Sequence, residues 1–124
     1  MNGYSVSIER TNKELSAKDR IRLKDTSDAI KLDEATKSGE IIITPVAYAV
    51  LNIHNEKSDN KDYNNYLIED ADGTKYVTGS ESFWSAFEDI YNEMGETDET
   101  WQVKAYRLPS KNYKGKEFLT CSII

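Results

Sequence analysis

The chain has 124 residues, 38% of them hydrophobic, 10% aromatic and 31% charged, with a formal net charge of −6. That length suits one domain with its own core, and this apolar and aromatic content excludes wholesale disorder. No apolar run approaches the roughly 18 residues of a membrane-spanning helix, the first twenty residues hold no apolar block that would make a signal peptide, and a single cysteine, Cys121, excludes an internal disulfide framework.

In chain order, Tyr4-Ser-Val6-Ser-Ile8 alternates as a strand does, and so does Arg20-Ile21-Arg22-Leu23-Lys24, which is expected to be a half-exposed strand with its basic side in water. Residues 25–40 are polar and carry no clear period. Ile41-Ile42-Ile43-Thr44, Pro45 and then Val46 to His54 form the strongest strand signal, with Pro45 marking a start, edge or bulge because it cannot donate to a ladder. Alternation over 46–54 puts Ala47, Ala49, Leu51 and Ile53 on one face, and Val46, Tyr48, Val50, Asn52 and His54 on the other.

Two β-prone runs, Tyr63 to Ile68 and Thr74 to Thr78, flank Asp72-Gly73, a hairpin turn in which glycine accepts the positive φ. One helix follows. Ser80 caps it, Glu81 favours its positive end, Phe83, Phe87, Ile90 and Met94 recur at helical spacing, and Gly95 stops it. The chain then forms a second hairpin, from Trp101 to Arg107 and from Glu117 to Ile124, the last strand reading as a buried, nearly continuous apolar run.

The sum is a mainly β chain with one helix. An OB-fold-like small barrel accommodates it, and an α+β arrangement, a single helix packed on an antiparallel sheet, is the alternative. The domain is expected to run over 1–124, with 1–39 an N-terminal set of strands or an arm and 40–124 the barrel core.

The chemistry favours binding over catalysis. One histidine, His54, and one cysteine in an apolar strand supply neither a nucleophile with its base nor the ligand set of a tetrahedral zinc. No glycine-rich phosphate loop is present: Tyr113-Lys-Gly-Lys116 lacks the length and the Ser/Thr of a P-loop. Glu69-Asp70-Ala-Asp72 reads as a turn. The chain is therefore expected not to be an enzyme and to need no metal or cofactor.

Charge is segregated along the sequence. Residues 1–24 carry net +3, residues 25–100 net −13 and residues 101–124 net +4. Phosphate binding depends on such local patches rather than on the total. Eight tyrosines are present, several beside bases: Tyr106 between Lys104 and Arg107, Tyr113 between Lys111 and Lys114, and Tyr76 next to Lys75, with Tyr48 on the outward side of its strand. Bases that track phosphates, interleaved with rings that stack on nucleobases, are what a single-strand site requires. Trp101 and Phe118 are assigned to the core and Trp84 flanks the apolar stripe of the helix, so none of the three is counted in the site.

The order of a strand block ending His54-Asn-Glu, the Asp72-Gly-Thr-Lys hairpin, the capped helix Ser80-Glu-Ser-Phe-Trp-Ser-Ala-Phe and the closing basic hairpin Trp101 to Thr120 resembles the small single-stranded DNA-binding proteins of tailed bacteriophages of Gram-positive hosts. The resemblance covers roughly residues 40–124. It implies an OB-like barrel that coats single-stranded DNA in the host cytoplasm during phage DNA replication or recombination, without a cofactor. It also implies nucleic-acid contacts from Tyr48, Tyr63, Tyr76, Tyr106 and Tyr113 with Lys75, Lys104, Arg107, Lys111, Lys114 and Lys116.

Bacterial relatives of that family carry an acidic tail that recruits replication proteins. This chain reads Cys121-Ser-Ile-Ile124 at that place, so tail-mediated recruitment is not expected. RNA is the other polymer such a site accepts, and the protein is expected to be a monomer or homo-oligomer with no membrane partner. The rival function is a small acidic interaction module, a DNA mimic inhibiting a host enzyme through Glu88, Asp89, Glu93 and Glu96.

Overall fold

A computed structural model describes residues 4–11, 14–57, 62–97, 99–110 and 115–124. They form strands β1 (Tyr4–Thr11), β2 (Ile30–Lys31), β3 (Ile41–Ile43), β4 (Pro45–Asn55), β5 (Asp62–Asp70), β6 (Lys75–Thr78), β7 (Val103–Pro109) and β8 (Glu117–Ile123). Helices α1 (Ala17–Lys24), α2 (Leu32–Ala35) and α3 (Glu81–Met94) lie among them. The class is α+β. The strands sort into two open sheets, a mixed one in the order β1-β4-β5-β6-β2 and an antiparallel one in the order β3-β7-β8, and the described residues close no barrel.

The chain builds two compact units, one from residues 1–30 and 46–79, the other from 31–45 and 80–124. In the first unit β1 pairs antiparallel with β4, Ser5 opposite His54 and Ile8 opposite Leu51, and a bulge falls between Ile8 and Arg10. Residues 4–11 are therefore a sheet strand rather than a free arm. The β5–β6 hairpin forms as expected, Ile68 opposite Tyr76, with Gly73 at φ +90° in its turn. Alternation on β4 also holds: Ala47, Ala49, Leu51 and Ile53 are buried, although Val50 on the other face is buried too.

The stretch Arg20 to Lys24 is helical, not a strand. Ser16 caps α1 by accepting from the Asp19 N–H at 3.1 Å, and only Leu23 of the helix is buried, against Ala49, Leu51 and Leu67, while Ile21 stays exposed. The aliphatic alternation that suggests a strand here reflects one buried side chain and one exposed one, so it carries no period. Arg22 reaches back to Glu69 with two hydrogen bonds, 2.5 and 3.3 Å, which hold its guanidinium in the charged form still more firmly than usual.

The second unit places α3 against β8. Ser80 caps the helix through the Phe83 N–H at 3.1 Å, as its sequence signals require. Phe83, Trp84 and Phe87 are buried, and Phe87 lies 6.2 Å from the ring of Trp101. Ser82 donates to the Leu119 carbonyl at 2.6 Å and the Cys121 thiol approaches the Phe83 carbonyl, so α3 covers the sheet face that carries Val103, Ala105, Leu119 and Cys121. No helix among the described residues is long and apolar enough to cross a membrane.

Candidate nucleic-acid interface

Pairing in the second unit fixes which side chains share a surface. Ile42 stands opposite Lys104, and Lys104 opposite Ser122. Tyr106 stands opposite Thr120, and Leu108 opposite Phe118. Directly opposed residues of antiparallel strands project to the same side. These seven therefore occupy the face turned away from α3. That face is open: Ile42, Leu108 and Phe118 are 47%, 40% and 38% exposed.

The tyrosine is held in place. Its hydroxyl hydrogen-bonds the Ser122 hydroxyl at 2.6 Å, and the Lys104 ammonium lies 5.4 Å from its ring centroid. Lys104 also sits 3.7 Å from Glu40. A fixed, half-buried aromatic with a cation on one side and the exposed Phe118 ring on the other makes a surface on which flat groups can stack and an anion can be held. The acidic side chains Glu88, Asp89 and Glu93 belong to α3, which covers the opposite face.

Phe118, assigned to the core from sequence, is exposed here. Its position across from Leu108 puts it on the Tyr106 side, and the signal that identifies it is the alternation Phe118, Thr120, Ser122 against Leu119, Cys121. Lys116, at the foot of β8, is exposed, and its carbonyl accepts from the Ser110 N–H at 2.8 Å. Lys111, Tyr113 and Lys114 lie outside the described residues.

Arg107 takes the other side of β7. It donates from Nε to the Thr36 hydroxyl at 3.1 Å and from Nη2 to the Asp33 carbonyl, tying β7 to α2. Next to it, β3 stops at Ile41, opposite Ala105, so the chain over 36–40 turns away from β7 at Tyr106 and Arg107. A cleft of about 360 Å³ opens there, lined by Thr36, Lys37, Ser38, Gly39, Glu40, Tyr106, Arg107 and Glu117.

The remaining four candidates belong to the first unit. Asn52 donates to Asn64 at 3.2 Å across β4 and β5, and Ile68 opposes Tyr76, so Tyr48 and Tyr76 share a sheet face with Tyr66 and Ile68. Both are half-buried, on a face that also carries the buried Val50, Tyr66 and Ile68, and burial raises the Tyr76 phenol above its usual pKa. Tyr63 projects from the opposite face by its parity on β5.

Lys75 is 6% exposed and donates to the carbonyls of Arg22 at 3.0 Å and Asp25 at 2.6 Å, with Asp28 at 3.0 Å. An ammonium has three donors, and these three acceptors occupy them. Lys75 is thus a clamp on the end of α1 and offers nothing to a phosphate, contrary to the expectation from its place beside Tyr76.

His54 is held between Asp62, 2.8 Å from Nδ1, and Glu56, 2.7 Å from Nε2, and these hydrogen bonds raise its pKa. Among the described residues no group of three or more His, Cys, Asp and Glu side chains is placed to hold a metal ion. Compared with known proteins, the chain matches no family model, no curated protein and no solved structure.

Proposed function

We propose that the protein binds single-stranded DNA on the open face of the β3-β7-β8 sheet and coats it without regard to most of its sequence. The reading is supported by one observation, the half-buried Tyr106 and the exposed Phe118 on the same sheet face as Lys104, a face turned away from the acidic helix. Bases stack on such rings at about 1–3 kcal/mol each whatever their identity, while Lys104 and Lys116 hold the backbone. Duplex DNA, whose bases are already stacked on one another, competes poorly. The resemblance of the closing hairpin to phage single-strand binders agrees with this reading, and coating of replication intermediates is the role it suggests.

The test is a titration with oligo-dT at low salt, followed by intrinsic fluorescence, with an oligo-U arm for RNA. Saturable quenching is expected, weakening with salt by about 0.7 log unit in affinity per log unit of salt for each neutralised phosphate. Tyr106→Ala and Phe118→Ala should each weaken binding about tenfold, and Tyr48→Ala should not. A flat titration with an unshifted gel band would instead favour a protein partner engaged by the acidic residues of α3.

A further inference from the structure

Lys104 does not meet the open sheet face as a bare cation. Its ammonium lies 3.7 Å from the Glu40 carboxylate and 5.4 Å from the centre of the Tyr106 ring, with the Lys104 and Glu40 side chains 41% and 58% exposed. Water and ligands therefore reach both partners of the pair. The backbone explains how a carboxylate comes to stand there. Ile41 is opposite Ala105 and Ile42 opposite Lys104, and Glu40 follows one place past the end of that pairing, two residues from Ile42. Side chains two apart on an extended chain project to the same side, and the contact with Lys104 agrees with that.

A phosphodiester and a carboxylate each carry one negative charge, and an ammonium serves either. A strand that brings a phosphate to Lys104 must displace Glu40 or share the ammonium with it against the repulsion of like charges. An exposed ion pair of this kind is worth a factor of about two to five in an equilibrium constant. That penalty falls on every anion alike. A ligand that also lays bases on Tyr106 and Phe118 recovers it, because each stacked base is worth a factor of about 5 to 150. A polyanion without bases recovers nothing.

From this arrangement we infer, resting on the single-strand binding proposed above, that Glu40 is a specificity-determining residue of the same face: a built-in competitor for Lys104 that lowers the affinity of every phosphate chain and leaves bound those that bring bases to the rings. In the free protein Glu40 holds the Lys104 ammonium beside the Tyr106 ring. In the complex a phosphate takes over that place and Glu40 is released to water. The exchange is one monoanion for another at a cation already positioned, so its cost is small, and stacking decides whether it is met.

The experiment measures fluorescence anisotropy of labelled dT12, and of an abasic strand of the same length that keeps the phosphates and lacks the bases. The proteins are the wild type, Glu40→Gln, Lys104→Met, the double variant and, as a control for net charge, Glu93→Gln on α3. Glu40→Gln should bind dT12 about threefold tighter at low salt, and the gain should shrink as salt screens the carboxylate. With Lys104→Met in place, Glu40→Gln should do no more than Glu93→Gln does, which is the coupling a double-mutant cycle reads. The abasic strand should bind at least about tenfold more weakly than dT12. If Glu40→Gln leaves dT12 binding unchanged or weaker, or gains as much in the Lys104→Met background, the role given to Glu40 is overturned while the single-strand reading stands. An abasic strand that binds as tightly as dT12 overturns the stacking on which both depend. If neither strand binds any of the proteins, both readings fall together.

Discussion

Replacing Lys75 with methionine keeps the length and apolar stem of the side chain and removes only the ammonium. In the folded protein that ammonium satisfies the carbonyls of Arg22 and Asp25, where α1 ends, and neutralises Asp28. Charge-assisted hydrogen bonds contribute about 1.5–3 kcal/mol each. Two are lost at a side chain only 6% exposed, and the desolvation cost of the buried charge disappears with them. The net destabilisation expected is about 2–3 kcal/mol.

With a urea slope near 2 kcal/mol/M, the unfolding midpoint should fall by roughly 1 M, measured by circular dichroism. Oligo-dT affinity and its salt dependence should be those of the wild type at urea-free conditions. The opposite pattern would refute the reasoning. An unchanged midpoint with weaker DNA binding and a salt slope reduced by about one contact would make Lys75 a phosphate ligand and its carbonyl partners incidental.

Two further outcomes follow from groups whose ionisation the fold controls. His54 is the only histidine, so its ring protons can be followed by NMR. Asp62 and Glu56 raise its pKa above 6.5. Its contribution to stability is therefore full below that value and lost as pH rises through the folded-state pKa. Asp62→Asn should lower the measured pKa, and a wild-type value at or below 6.5 would contradict the two hydrogen bonds. Burial pushes the Cys121 thiol up to about 12, so iodoacetamide at pH 8 should label it only after unfolding, and rapid labelling of the native protein would show that β8 opens.

The elements with local punctuation were legible in the sequence. Ser80, the Phe83–Phe87 spacing and Gly95 delimit α3, and Asp72-Gly73 closes its hairpin, because caps and turns are settled by near neighbours. The division into two sheets was not. Ile41 to Ile43 and Pro45 to Asn55 read as one strand block, yet β3 joins β7 while β4 joins β1, and only pairing with residues far along the chain decides that.

The site was legible in part. Interleaving singles out Lys104, Tyr106 and Arg107, but neighbours on β7 end on two different surfaces, Tyr106 bonded to Ser122 on the face turned away from α3 and Arg107 bonded to Thr36 and Asp33 on the other side. A run of apolar residues hides the alternation that exposes Phe118, and adjacency to Tyr76 says nothing of the carbonyls that Lys75 meets at the end of α1.

The way the two units share the chain has a consequence for synthesis. Ile41 leaves the ribosome early, but its partner Ala105 and the helix that covers the opposite face come much later. Until then β3 has no ladder to join, whereas β1, α1 and β4 to β6 already hold everything their own core needs. The first unit can therefore form on the nascent chain with the 31–45 segment held out as an insertion, and the β3-β7-β8 sheet is the last part to be assembled.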